Sequence, residues 1–133
     1  MSLGFTQQGP GEKPGPLPAS EVHAFTGHHL LLAYEGCEVD LNDLALLEAA
    51  CQEGILASGA QVRGKASTRY EPQGVSIVFL LSESHASIHT YPEFGSAFLD
   101  IFTCGTSCRT EKFDEVCRRA LRPIKVSSRF IQR

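Results

Sequence analysis

The sequence predicts an α+β fold, a two-layer sandwich with a mostly antiparallel sheet and two helices packed on one face. Three observations lead there. The strand-like and helix-like segments run in the order β-α-β-β-β-β-α-β. The connections between neighbouring strands are tight and contain glycine, which suits antiparallel partners. VSIVFLLS, residues 75–82, is continuously apolar and rich in β-branched side chains, and so reads as a central strand buried on both faces. At 133 residues the chain is the size of one domain with one core.

Residues 1–22 open with MSLGFTQQGPGEKPGPLPAS, where Pro, Gly and polar residues crowd out the apolar area needed to offset ordering entropy. They are expected to form a flexible leader, with the domain spanning 23–133 from His23 onward. HHLLLAYEGC reads as a strand ending at Gly36. DLNDLALLEAACQEGILASG, 40–59, reads as a helix with Leu44, Leu47, Cys51 and Ile55 on one face, Asp40 or Asn42 as N-cap and Gly59 as the stop. Residues 61–70 look like a strand closed by Pro72-Gln73-Gly74. After the central strand come a polar strand at 84–91 and an apolar one, AFLDIFT, at 97–103. A second helix is expected over about 107–122, with Phe113, Val116, Cys117, Ala120 and Leu121 as its stripe and Pro123 as its end. A strand over 124–130 closes the chain.

Composition narrows the function. A net charge of −3 gives no electrostatic case for nucleic acid or an anionic membrane surface. Arg118, Arg119, Arg122 and Lys125 cluster at the end of the second helix, where cations suit the helix dipole. No apolar run approaches a membrane span, and the N-terminus carries no basic-plus-hydrophobic signal. The five cysteines are odd in number, and two fall on apolar helix faces, which argues for a reducing, cytoplasmic location rather than a disulfide scaffold.

The informative stretch is LLSESHASIHTYPEFG, residues 80–95, where serines, histidines and a carboxylate interrupt the core. Three chemistries compete for it. A serine hydrolase would use Ser84 or Ser87 with His89 as base and Asp100 or Glu93 as third member, but no G-x-S-x-G elbow is present. A metal site would draw on His28, His29, His85, His89, Cys104 and Cys108, but C-G-T-S-C is not a usual zinc spacing. The third chemistry uses the Glu83-Ser84 bond itself. The Ser84 hydroxyl attacks the preceding carbonyl, β-elimination breaks the resulting ester, and the dehydroalanine left behind hydrolyses to a pyruvoyl group. Such a ketone forms a Schiff base with an amino-acid substrate and withdraws electrons from its α-carbon. This chemistry needs a serine in a turn, a base, an assisting hydroxyl and an acid.

GVS at 74–76, SESHASIHTYPE at 82–93 and FTCG at 102–105 closely resemble the motifs of the short prokaryotic S-adenosylmethionine decarboxylases, which are pyruvoyl enzymes. LNDLALLEAACQEGILASGAQV at 41–62 is similar to the family's first helix, and GHHL at 27–30 to its opening GRHL. The resemblance implies that Ser84 becomes the pyruvoyl group after cleavage between Glu83 and Ser84. It implies further that His89 is the base of processing, Ser76 the assisting hydroxyl, and Cys104 the acid that protonates the substrate α-carbon. Tyr70 and Tyr91 match the aromatic positions that sandwich adenine, and Glu93 the carboxylate on the ribose hydroxyls. The implied product is the aminopropyl donor for spermidine synthesis, the implied assembly a dimer of cleaved protomers, (αβ)₂, and no metal is implied.

Tyr91 stands where Trp is common, Ile77 and Ala86 replace family residues inside the motifs, and His28 replaces the Arg of GRHL. These departures bear on the substrate, leaving ornithine or arginine decarboxylation on the same scaffold, or an uncleaved non-catalytic paralogue, as alternatives. Taken singly, Ser76, His89, Cys104 and the tyrosines read as core or packing residues, and only their joint spacing says otherwise. His85 has no assigned role. On an ideal strand Ser84 and His89 face opposite sides, so the mechanism requires a bend at Glu83-Ser84.

Overall fold

The computed structural model describes residues 26–133. The predicted leader and the domain start at His23 lie outside them. The elements follow the predicted order: β1 (Gly27–Glu35), α1 (Leu44–Ala57), β2 (Val62–Arg69), β3 (Val75–Leu81), β4 (His85–Tyr91), a 3₁₀ turn (Pro92–Phe94), β5 (Ser96–Cys104), α2 (Thr110–Leu121) and β6 (Lys125–Gln132). The strands form one six-stranded sheet in the order β2-β3-β4-β5-β1-β6, and every neighbouring pair is antiparallel. The expected α+β sandwich is the fold observed.

Alternation along each strand sends one set of side chains toward the helices and the other to an uncovered face. Leu30, Leu32 and Tyr34 of β1, Val75, Ile77, Phe79 and Leu81 of β3, and Ala86 and Ile88 of β4 join Ala97, Leu99 and Ile101 of β5 in the core. Leu47, Cys51 and Ile55 of α1 and Phe113, Cys117 and Leu121 of α2 meet them from the helical layer. The buried Tyr34 hydroxyl donates to Asp114 Oδ1 at 2.6 Å, tying the sheet to α2.

Two predicted details change. The N-cap of α1 is Asp43, whose carboxylate accepts from Leu46 N at 3.1 Å, and neither Asp40 nor Asn42 caps the helix. Both have other partners: Asp40 Oδ1 accepts from Asn42 N, and Asn42 Oδ1 accepts from Gly74 N at 2.7 Å, holding the β2–β3 connection. The second helix starts at Thr110 rather than 107, because the chain is still turning after Gly105, which sits at φ +84°. Its end is as expected: Arg122 takes the left-handed conformation at φ 50°, directly ahead of Pro123. The basic cluster at this end is structural where its contacts are seen. Arg118 pairs with Asp114, Arg122 donates to Glu38 O at 2.7 Å, and Lys125 lies 3.6 Å from Glu35.

Candidate active site

β3 and β4 form a tight hairpin. Leu80 and His85 are its last registered pair, and Leu81 N donates to Ser84 O at 3.0 Å. Ser82 and Glu83 are therefore a two-residue loop, both exposed, and the chain bends at each. The chain does bend immediately ahead of the Glu83-Ser84 bond, leaving Ser84 just outside the regular strand, but the bend does not bring Ser84 to His89. Neither loop residue takes the positive φ used by the commonest two-residue hairpin loops.

Ser84 opens onto a cavity of about 450 Å³ that is also lined by Arg63, Ser82, Glu83, Cys104 and Cys108. Arg63 Nε donates to Ser82 Oγ at 3.1 Å and so braces the loop. Cys104 is the last residue of β5, held opposite Gly27, and Gly105 turns the chain away with its N–H on Thr26 O. The structure thus places a free, half-buried thiol and the candidate nucleophile in one cavity.

Ser76 and His89 are direct register partners on β3 and β4 and face the same, uncovered side. Ser76 Oγ lies 2.7 Å from His89 Nδ1, and Tyr70 OH donates to Ser76 Oγ at 3.1 Å. A second cavity, about 370 Å³, is lined by Tyr70, Gln73, Ser76, His89, Thr90, Tyr91 and Glu93. Tyr70 and Tyr91 are 51% and 44% exposed, so neither serves mainly as core packing. Glu93 comes from the 3₁₀ turn that Pro92 opens and Gly95, at φ 61°, closes.

The predicted residues therefore fall into two groups. Ser84 and Cys104 lie at one end of the sheet, and Ser76, His89, Tyr70, Tyr91 and Glu93 at the other. Five residues of extended chain separate Ser84 from His89, about 16 Å at the usual strand rise.

A third group was not assembled by sequence reading. His29 and His85 sit on either side of Phe102, which registers with both, and Asp100 lies two residues along β5 on the same face. Asp100 Oδ2 is 2.7 Å from His29 Nε2 and 3.2 Å from His85 Nε2, while Ser87 Oγ donates to Asp100 Oδ1. Burial works to raise the Asp100 carboxyl, but hydrogen bonds from Ser87 and His29 and the charge of His85 outweigh it and hold the group below the usual carboxylate range. The available signal was parity: His29, His85, Ser87 and Asp100 all fall on the uncovered face once the strand register is known.

The serine-hydrolase chemistry loses its geometry. Ser87 points its hydroxyl at Asp100, and His89 is engaged with Ser76, so neither builds a serine–histidine–carboxylate relay. Of the six predicted metal-ligand candidates, His29 and His85 meet each other. His28 packs on Phe130, His89 is with Ser76, and Cys104 and Cys108 line the Ser84 cavity.

Comparison with known proteins bears on the same residues. The family profile described as S-adenosylmethionine decarboxylase matches residues 28–133. The chain is 45% identical over 80 residues to S-adenosylmethionine decarboxylase proenzyme 2 of Halalkalibacterium halodurans, a match covering 59% of this chain and 63% of that protein. It is 49% identical over 80 residues to the S-adenosylmethionine decarboxylase proenzyme of Clostridium tetani, covering 59% and 64%. The chain thus spans a little under two thirds of the length of these relatives. Among solved structures, the adenosylmethionine decarboxylase from Aquifex aeolicus VF5 shares the fold, with a TM-score of 0.75 at 24% identity over 82% of this chain and 91% of that one. A Trypanosoma brucei AdoMetDC monomer matches with a TM-score of 0.57 at 18% identity, over 76% of this chain and 44% of that one. With a profile that spans nearly all the described residues, the chain belongs to the S-adenosylmethionine decarboxylase family.

Proposed function

We propose that this chain is a self-processing, pyruvoyl-dependent carboxy-lyase that decarboxylates S-adenosylmethionine in the cytoplasm, making the aminopropyl donor for spermidine biosynthesis. The observation that carries the reading is the pairing of Ser84 with Cys104 in one cavity and of Ser76 with His89, beside two tyrosines and a carboxylate, in another. The first cavity has what the reacting carbon needs, and the second has what a nucleoside needs.

The groups are too far apart to act on one substrate within one protomer. We place them together across a two-fold dimer of cleaved chains, (αβ)₂, in which the uncovered sheet faces meet and the Ser84 end of one lies against the His89 end of the other. That face supports such packing. It exposes Val78, Leu80, Phe98 and Ile131, apolar side chains that a second layer would remove from water.

In processing, the Ser84 oxygen attacks the Glu83 carbonyl carbon, and the amide C–N bond breaks to leave an ester. The Ser76 hydroxyl of the second protomer hydrogen-bonds the oxyanion formed in that attack. His89, its ring oriented by Ser76, then takes the Ser84 α-proton, and the Glu83 carboxylate leaves; water hydrolyses the resulting dehydroalanine, releasing ammonia and leaving the pyruvoyl ketone. The hairpin tip suits this role because a two-residue loop exposes the scissile carbonyl while Leu81 N holds Ser84 O in place. The residues fit the group that results, since the position lies in the cavity that also holds a free thiol. The pyruvoyl ketone supplies a covalent hold on the substrate amino group and an electron sink for its α-carbon. Tyr70 and Tyr91 stack the adenine, Glu93 accepts from the ribose hydroxyls, and Cys104 delivers the proton that replaces the lost carboxylate.

Cys104→Ala separates the two reactions. Release of labelled CO₂ from carboxyl-labelled S-adenosylmethionine should fall by about 10²-fold or more, the scale of a lost general acid, while cleavage proceeds. Loss of cleavage with decarboxylation retained by the processed fraction would overturn the assignment. Release from ornithine or arginine in place of S-adenosylmethionine would overturn the substrate.

A further inference from the structure

We infer that His29, His85 and Asp100 form a binding site for a divalent first-row transition-metal ion on the uncovered face of the sheet. Three strands build it. Phe102 on β5 registers with His29 on β1 and His85 on β4, so the two imidazoles flank one ring, at centroid distances of 5.5 and 5.7 Å. Asp100, one full strand repeat away on β5, reaches back between them.

The ligand atoms have the spacing an ion requires. Metal–ligand bonds of 2.0–2.2 Å to imidazole nitrogen and carboxylate oxygen put neighbouring ligand atoms about 3.0 Å apart in octahedral geometry and about 3.4 Å apart in tetrahedral geometry. The two nitrogens lie 2.7 and 3.2 Å from the same carboxylate oxygen, and all three atoms are within 4.8 Å of one another. Ligand type points the same way: two imidazoles and one carboxylate on one face suit zinc or ferrous iron and leave positions open on the other side.

The surrounding residues are those of a supported site. Ser87 donates to Asp100 Oδ1 and so turns Oδ2 toward the imidazoles. The two rings meet edge-on, at 5.8 Å and 85°, each braced against Phe102, which fixes their planes. Phe102 itself lies under Arg133, whose guanidinium carbon is 5.0 Å from the ring centroid. Within one protomer the histidine side chains are 16% and 40% exposed, on the face that the proposed two-fold pairing would cover, so the ion enters the single chain or the margin of that pairing. Binding needs both Nε2 lone pairs, so each imidazole then carries its proton on Nδ1.

Position suggests a use, one that rests on the proposed cleavage whereas the binding does not. His85 is the first residue of β4 and directly follows Ser84. Cleavage cuts the covalent link between β3 and β4, and an ion at His85 holds the new end of β4 to β1 and β5.

Cobalt(II) is the probe. The purified protein, stripped with chelator and dialysed, is titrated with Co²⁺ while visible d–d absorption and thermal unfolding are followed. One equivalent per chain should bind, with d–d bands free of thiolate charge transfer and a raised Tm. His29→Gln/His85→Gln should abolish the signal. Ser87→Ala, which keeps all three ligands, should weaken binding by about 10-fold or more, so the site can be read even if the double variant folds poorly. Absence of d–d absorption at millimolar Co²⁺, binding undiminished in both variants, or a cobalt–thiolate band placing the ion at Cys104 and Cys108 would each overturn the site. Cleavage is scored separately by mass on the same samples, so failure of the metal site and failure of the proposed function give different results.

Discussion

Ser76 and His89 owe their pairing to register. Each is one residue in an alternating strand, and a shift of one position in the β3–β4 ladder would send them to opposite faces. Their 2.7 Å contact fixes the imidazole orientation by a neighbour that is itself held by Tyr70. His89→Ala should therefore slow the appearance of cleaved chains by about 10²–10⁴-fold, the usual contribution of a positioned base, as followed by denaturing gel electrophoresis over time. Wild-type cleavage in that variant would remove His89 from processing. The identities of these residues were legible in the sequence because the motifs carry them at fixed intervals. Their division into two distant groups was not legible, since a linear motif puts Ser84 and His89 five residues apart without saying that the strand between them runs straight. The His29–Asp100–His85 group was hidden for the same reason, because it takes the register of β1 and β4 against β5 to bring residues 71 and 15 positions apart into contact.

The hairpin and its strands set the second scale. β3 is buried on one side by Val75, Ile77, Phe79 and Leu81 and presents Ser76, Val78 and Leu80 on the other. Its sequence looked continuously apolar and so predicted burial on both sides. The outward Val78 and Leu80 are exposed in the protomer, the arrangement expected if a partner covers them. Phe79 is wholly buried beneath the helices, and Phe79→Ala should cost about 3–5 kcal/mol of stability, the usual range for a core phenylalanine, measured by chemical denaturation of an uncleaved Ser84→Ala background. A cost under about 1 kcal/mol would mean that the core is packed differently there. Element boundaries were legible to within a few residues. The misses came from local hydrogen bonding: Asp43 won the cap of α1 because Asp40 and Asn42 hold neighbouring backbone, and the turn after Gly105 delayed α2.

At the scale of the whole molecule, one sheet covered by two helices leaves a face with apolar residues and every predicted catalytic group at its margins. In the proposed two-fold pairing the site would be completed twice, each copy taking Ser84 and Cys104 from one chain and Ser76, His89 and Glu93 from the other. Neither Cys104→Ala nor Glu93→Ala should be active alone. Co-expressed, they should recover about a quarter of wild-type activity, because half of the randomly assorted isologous dimers are mixed and each mixed dimer has one intact site. No recovery in purified mixed dimers would contradict the shared site. The two-layer architecture and its helical face followed from strand order and periodicity. The dimer was an expectation of the resemblance alone, and the apolar exposure that supports it appears only in three dimensions. The central claim is that the backbone between Glu83 and Ser84 is the substrate of the chain's own first reaction. Intact-mass measurement under denaturing conditions tests it most directly. The account predicts two fragments, 1–83 ending in an ordinary carboxylate and 84–133 beginning with a pyruvoyl group; a single mass for the uncut 133-residue chain after long incubation would contradict it.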